Sequence, residues 1–192
     1  DPEHPGQSYR QTWHIAGRTE CIVCHTTRAG SIHGFNWSQL DRTHDYGAVT
    51  DHQLRILQHI GLFDPAVEEV ASMPSPLDDS VDLETRARAY LHVNCAHCHR
   101  RGGGGTAKFE VRYELTLPQT ALLGERPTQG AFEIPGAEVV APGDPFRSVL
   151  LYRMAKLGRG RMPHAGSAVV DEHGLRLIRE WIEQLAVPAG DQ

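Results

Sequence analysis

Two copies of one short motif contain every cysteine of this chain. Residues 21–25 are Cys-Ile-Val-Cys-His and residues 95–99 are Cys-Ala-His-Cys-His, which accounts for all 4 cysteines. The spacing C-x-x-C-H is typical of a site where haem c is attached covalently. Residues i and i+3 lie on one face of a helical turn, so both thiols can reach one porphyrin. The sequence therefore predicts two covalently bound haem c groups as cofactors.

The motif also predicts a role for each of its residues. A neutral imidazole binds a metal through one nitrogen, and the other nitrogen commonly donates a hydrogen bond that orients the ring. We therefore expect the histidine of each motif to bind one iron and the two cysteines to hold the porphyrin. The predicted cofactor-binding residues are Cys21, Cys24, His25, Cys95, Cys98 and His99.

Other uses of paired cysteines explain less of the pattern. Two C-x-x-C pairs can form one four-cysteine zinc site, but here the pairs lie far apart in the sequence, and zinc requires no histidine after each pair. A thioredoxin-like redox site needs a βαβ context, which neither motif has. A structural disulfide within each pair is the least favoured alternative.

The ligand on the far side of each iron separates electron transfer from catalysis. A methionine thioether in that position raises the reduction potential. Met73 and Met162 each precede a proline, which fixes the backbone and helps to hold a loop against a haem. We expect Met162 to bind the second iron, and Met73 is a candidate for the first. The alternatives for the first iron are His14, His33, His44, His52 or no protein ligand.

Composition and charge exclude several classes of protein. The chain has 192 residues, of which 40% are apolar and 22% charged, as in ordinary globular proteins. Its formal net charge of -5 disfavours nucleic acid as a partner. The sequence has no apolar run long enough for a transmembrane segment. Because haem c is attached after export, we expect a periplasmic or extracellular protein.

Patterns along the chain predict two units with a boundary near residue 80. Segment 71–79 is rich in Pro, Ser and Asp, as in a linker. We expect a first cytochrome c-like domain over 1–80, with a helix capped by Thr50 and Gln53 and ending at Ile60. A second cytochrome c-like domain is expected over 81–192.

The second unit is predicted to contain three helices and a small β insertion. One helix is expected to start at Val81 after Ser80 and to lead into Cys95, and others to start after Asp144 and Asp171. Residues 109–117 alternate apolar and polar side chains, which predicts a strand in an insertion over 107–141. Gly102–Gly105 is interpreted as a flexible surface turn. The predicted fold class is mainly α: two tandem cytochrome c-like haem domains with a small β insertion in the second.

The second unit resembles a class I cytochrome c domain, with its N-terminal helix, its motif, the Met162-Pro163 loop and a C-terminal helix that contains Trp181. Segments 86–99, 141–145 and 161–164 are similar to a group of exported bacterial dihaem cytochromes. In that group such modules occur alone or fused to quinoprotein-type dehydrogenases. The resemblance implies thioether bonds at all four cysteines, His25 and His99 as proximal ligands, and Met162 as a distal ligand.

We therefore expect an extracytoplasmic electron carrier that passes electrons between a redox partner protein and an acceptor. By the resemblance, the partner could be a quinoprotein-type dehydrogenase. The alternative is a dihaem redox enzyme of the peroxidase or thiosulfate dehydrogenase type, with catalysis at an open or unusually ligated first haem.

Overall fold

The computed structural model describes residues 6, 8, 10, 12–34, 36–63 and 72–186. Within these ranges the helices and strands are short, apart from two helices of 13 residues each. In chain order they are α1 (Arg18–Cys24), α2 (Trp37–Leu40), β1 (Thr43–Asp45), β2 (Thr50–His52), α3 (Gln53–His59), α4 (Leu83–Cys95), α5 (Val149–Ala155) and α6 (Glu172–Gln184). Short 3-10 helices cover Thr27–Ala29, Pro118–Thr120 and Pro145–Arg147.

The two long helices, α4 and α6, pack against each other and form the centre of the core. Asp82 caps α4 by accepting a hydrogen bond from the Thr85 backbone N–H, and Asp171 caps α6 through the N–H of Gly174. The helices approach closely at Gly174, where a Cβ would overlap the Tyr90 ring. The fully buried side chains at this contact include Ala87, Leu91, Ile178, Trp181 and Ile182.

Irregular segments complete this core. Val111, Leu122, Val139 and Val140 are buried against the two helices although none of them lies in a helix or a strand. The Val139 N–H donates to Glu125 and the Leu150 N–H donates to Val139, so the loop backbone bonds to other loops and to α5. The long segment between α4 and α5 is thus a packed layer of the fold.

The predicted β insertion is wrong. Residues 107–117 form turns and irregular backbone, although Val111 is buried as its position in the alternating pattern suggested. The Glu110 N–H donates to Thr120 and the Val111 N–H donates to His99, so successive residues bond to different segments instead of one neighbouring strand. The strands of the described chain are β1 and β2, which pair antiparallel with Thr43 opposite His52.

The predicted fold of two tandem cytochrome c-like domains is also wrong. Among the described residues up to 63, each helix has at most seven residues, and the buried apolar side chains are Ala29 and Leu54. This part therefore has no counterpart of the α4–α6 pair within the described ranges. The boundary near residue 80 stays a prediction.

Several predicted helix starts differ from the structure by a few residues. Helix α4 starts after Asp82 instead of after Ser80, because the Ser80 hydroxyl donates to Asp78 and caps no helix. Thr50 lies in β2 and does not cap α3, which ends at His59. Asp144 caps a 3-10 helix that precedes α5. The Asp171 cap is confirmed, and the C-terminal helix that it begins packs on α4.

No helix in the described ranges is long and apolar enough to cross a membrane.

Candidate cofactor site

The two C-x-x-C-H motifs meet in the structure. Cys24 is the last residue of α1, Cys98 follows α4, and their Sγ atoms are bonded to each other across 74 residues of sequence. Their Cα atoms are 5.1 Å apart, which is within the usual range for a disulfide. Cys21 and Cys95 are free thiols. The second cysteines of the two motifs therefore lie side by side.

The glycine run after the second motif lies between the two motifs. The Thr26 hydroxyl, just beyond the first motif, donates a hydrogen bond of 2.5 Å to the carbonyl of Gly102. The Gly105 N–H donates to the carbonyl of Cys98 at 3.1 Å. Gly102–Gly105 is a turn, but it is half-buried, so the prediction of a free surface turn is wrong.

His25 is oriented by a backbone carbonyl. It follows the last residue of α1, and its Nδ1 donates a 2.6 Å hydrogen bond to the Ser31 carbonyl. This contact fixes the proton on Nδ1 and leaves the lone pair of Nε2 available to a metal. A backbone acceptor on the second ring nitrogen is typical of histidines that bind metals.

His99 is held in an apolar environment. Its ring stacks on Phe109 with the ring centroids 4.5 Å apart and the planes inclined by 11°. Burial, together with the positive charges of His97, His164 and Arg153, lowers the pKa of His99 to about 4. Its Nδ1 is buried and has no hydrogen-bond partner. A buried polar atom without a partner costs about 1–3 kcal/mol.

Cys95 and Met162 line one cavity of about 190 Å³ beside α4. Tyr90, Asn94 and Arg161 are among the other residues around it. The Met162 N–H donates to the Arg153 carbonyl at 2.9 Å, and the Arg153 guanidinium donates to Gly160, so α5 holds the Met162 loop. Burial raises the pKa of the Cys95 thiol to about 12, which keeps it protonated at neutral pH.

The histidines predicted as distal ligands of the first iron all have other partners. His14 contacts Glu20 and His52 contacts Asp41, each at 2.9 Å. His44 packs edge-on against Tyr46. Met73 is half-buried, and its N–H donates to the Ser38 carbonyl.

His33 is the one of these candidates whose ring lies against the first proximal histidine. The ring centroids of His25 and His33 are 5.0 Å apart, and His33 Nε2 donates to the Cys24 carbonyl. Two imidazoles on opposite sides of one iron lie farther apart than this. His33 is thus held beside His25 in this arrangement, and its role as a distal ligand stays a prediction.

Sequence reasoning missed His97, inside the second motif. A ring nitrogen of His97 and the sulfurs of Cys24 and Cys98 all lie within 4.8 Å of one another. Burial lowers the pKa of His97, and the charges of His33 and His25 lower it further. In the sequence, the only indication that His97 has a role was its position between the two cysteines of the motif. Cys21 and Cys95 lie outside this group, so the described residues do not form the four-cysteine zinc site.

No family model, curated protein or solved structure matches this chain. The resemblance to exported dihaem cytochromes therefore stays a prediction from the motifs.

Each motif contains the residue types that the predicted cofactor needs, but only one of its two cysteines is a free thiol. Around the second motif lie a free cysteine sulfur and a methionine thioether, which are donor types that haem c takes. At the first motif, Cys21 is free and His25 presents Nε2. Cys24 and Cys98 fit only as separate thiols, because a sulfur in a disulfide cannot also form a thioether.

Proposed function

We propose that this chain is an exported electron-transfer protein with two covalently attached haem c groups, one at each motif. The observation that carries the proposal is the cavity shared by Cys95 and Met162, which are distant in sequence and lie together beside α4. A thiol for attachment and a thioether for the distal position are the two sulfur groups that a haem c site with a Met ligand requires.

Each residue of the motifs has a task in this proposal. Cys21 and Cys24 bind one haem, Cys95 and Cys98 bind the other, and His25 and His99 are the proximal ligands. When bound, each haem supplies an iron that takes up and releases one electron. The Ser31 carbonyl orients His25, and Phe109 holds the plane of the His99 ring.

The Met162 loop completes the second site. Its backbone bond to Arg153 holds the loop on α5, and the Met162 side chain borders the cavity. A thioether ligand raises the reduction potential of an iron. We therefore propose that the second haem has the higher potential and that Met162 is its distal ligand.

Arg161 is suited to the propionate groups of the second haem. It lines the cavity, and its Nε is buried without a hydrogen-bond partner, while its terminal nitrogens donate to Ser167 and Val169. A guanidinium binds carboxylates through charge-assisted hydrogen bonds. Its place in the lining of the cavity therefore favours Arg161 as a propionate partner.

Partners and location belong to the same proposal. Haem c is attached after export, which supports a periplasmic or extracellular location. The resemblance supports a quinoprotein-type dehydrogenase as a candidate donor. None of the described helices could span a membrane. The donor and the acceptor are proposed to be redox proteins.

The first test is the mass and colour of the intact protein. We expect the chain produced in a host that attaches haem c to gain the mass of two haems and to absorb as a low-spin cytochrome. The double substitutions C21S/C24S and C95S/C98S should each leave one haem. A colourless product with the mass of the bare polypeptide would falsify the proposal.

The second test examines Met162. We expect Met162→Ala to lower the potential of one haem and to produce high-spin absorption, because the iron loses its thioether ligand. Met154→Leu is the matched control, since Met154 borders the same cavity but packs against the core. A redox titration in which Met162→Ala and Met154→Leu both behave as the parent would exclude Met162 as a ligand.

A redox enzyme with an open first haem is the second candidate function. The observation that favours it is that all four histidines predicted as distal ligands of the first iron have other partners. An open iron binds cyanide rapidly and reacts with peroxide. Fast cyanide binding by the resting protein would support the enzyme, and a low-spin spectrum inert to cyanide and peroxide would support the carrier.

A further inference from the structure

The glycine run makes close backbone contacts with both motifs. A Cβ at Gly104 would overlap the Val23 carbonyl of the first motif, and a Cβ at Gly103 would overlap the Cys98 carbonyl of the second. A Cβ at Gly102 would lie 2.5 Å from the Cβ of Arg28, and Gly102 has a φ of +80°, which disfavours other residues. Each of these neighbours is a backbone atom or a Cβ atom, so it can move aside only if the main chain shifts.

A hydrogen bond fixes the same contact. Thr26 Oγ1 donates to the Gly102 carbonyl and also accepts from the Ala29 N–H at 3.0 Å. The first motif is therefore tied to the glycine run immediately after its histidine. On the other side of the contact, the Gly105 N–H donates to Cys98.

We infer that Gly102–Gly104 is a positioning element that holds the two motifs in contact and so sets the spacing between their attached haems; this inference rests on the proposed function. Cys24 and Cys98 are the second attachment residues of the two motifs, and their Cα atoms are only 5.1 Å apart. Two haems tethered at neighbouring residues exchange electrons directly. A side chain larger than hydrogen at residue 104 would separate the motifs and weaken this exchange.

The first arm of the test uses the chain without haem and measures the contact itself. In a glutathione buffer, oxidised glutathione takes two electrons and two protons from Cys24 and Cys98 and is released as two reduced glutathione molecules. In a C21S/C95S background, which leaves Cys24 and Cys98 as the two thiols, the equilibrium constant therefore reports how often they meet. We expect Gly104→Ala to lower this constant by roughly tenfold, which is about 30 mV for a two-electron couple. Gly34→Ala is the control, because a Cβ there meets nothing within 4 Å.

The second arm uses the protein with two haems attached. Two haems held close together give paired positive and negative circular dichroism bands in the Soret region. We expect the parent and Gly34→Ala to show this pair, and Gly104→Ala to lose amplitude while it retains two haems and the absorption spectrum of the parent. A change confined to the coupling between the haems is not expected from a general loss of stability.

A milder pair of variants covers the case in which Gly104→Ala does not fold. Thr26→Val removes the hydroxyl that bonds to Gly102, and Thr26→Ser retains it. We expect Thr26→Val to weaken both readouts and Thr26→Ser to preserve them.

The two arms separate the possible failures. An unchanged thiol equilibrium in Gly104→Ala, or in Thr26→Val where the first variant does not fold, overturns the positioning role. A parent that carries two haems without paired Soret bands overturns the close spacing. A parent that carries no haem overturns the proposed function, while the thiol equilibrium still decides whether the glycines hold the motifs together.

Discussion

At the scale of single residues, His92 shows how one half-buried ring joins two segments of the chain. Its Nδ1 accepts a 2.8 Å hydrogen bond from the Tyr113 N–H. Burial lowers the pKa of His92, the charge of Glu114 raises it, and those of Arg100 and Arg112 lower it further. The neutral ring is therefore the form that the fold requires, because only an unprotonated Nδ1 can accept from Tyr113.

This arrangement predicts a loss of stability in mild acid. The folded pKa of His92 lies below its value of 6.5 in the unfolded chain, so the unfolded chain takes up the proton first as the pH falls. The stability that His92 contributes is therefore present above its unfolded pKa of 6.5 and is lost progressively as the pH falls below that value. We expect His92→Asn, which retains an acceptor for the Tyr113 N–H but cannot titrate, to lose less stability between about pH 7.5 and about pH 5.5 than the parent. Denaturant unfolding at both pH values measures this difference, and equal losses in the two proteins would contradict the role of His92.

The residues of the candidate site differ in how far the sequence could identify them. Cys95 and His99 were predictable because the chemistry of the motif is local, and Met162 because it precedes a proline in a loop. His97 and the contact between Cys24 and Cys98 were not predictable. Both depend on the approach of two segments that are 74 residues apart, and no local pattern encodes that approach.

At the scale of helices and strands, Asp171 couples two helices through one carboxylate. Its Oδ1 accepts from the Gly174 N–H and caps α6, and its Oδ2 accepts from the Tyr90 hydroxyl on α4 at 2.9 Å. Asp82 has only the first of these tasks, since it caps α4 through the Thr85 N–H. The two aspartates therefore form a matched pair that separates capping from helix coupling.

The pair predicts unequal losses of stability. We expect Asp82→Ala to lower the free energy of unfolding by about 1 kcal/mol, the usual effect of losing a helix cap. Asp171→Ala should cost about 2 kcal/mol, because it removes a cap and also a hydrogen bond worth roughly 1 kcal/mol. Tyr90→Phe removes only the hydrogen bond and should lower the free energy of unfolding by roughly 1 kcal/mol. In the Asp171→Ala background, where this hydrogen bond is already absent, it should have little further effect. Chemical unfolding of the four variants gives these values, and equal effects of the two alanine substitutions would exclude the coupling.

The cap of the C-terminal helix was predictable from the sequence, whereas the caps assigned to Ser80 and Thr50 and the β insertion were not. Asp171 caps α6 as its side chain predicts, because capping needs only residues within one turn. The alternation over 109–117 correctly predicted that Val111 is buried. It wrongly predicted a strand, because a strand also requires a neighbouring strand with which to pair. Here Thr120 and His99 take up the backbone hydrogen bonds that a neighbouring strand would have satisfied.

At the scale of the whole molecule, the two parts of the chain bury very different amounts of apolar surface. Beyond residue 80 the described core contains two helices and their loops, with Trp181 and Leu91 almost completely buried. Up to residue 63 the described core is limited to Ala29 and Leu54, while Ile22 within the first motif and Ile32 beyond it are 63% and 84% exposed. A small unit with so little core commonly depends on a cofactor or metal for its stability.

The imbalance predicts that haem attachment stabilises the first part far more than the second. In the chain without haem, we expect a protease to cut first within 12–63 and to leave a resistant fragment that contains α4 and α6, because local opening is easiest where few apolar contacts are broken. The protein with two haems should resist cleavage in both parts. C21S/C24S, which retains only the second attachment site, should be cut within 12–63 as readily as the chain without haem. Limited proteolysis followed by mass spectrometry locates the cuts. Equal resistance of segment 12–63 in all three proteins would show that its few buried side chains and its contacts with Gly102–Gly104 are sufficient without the cofactor.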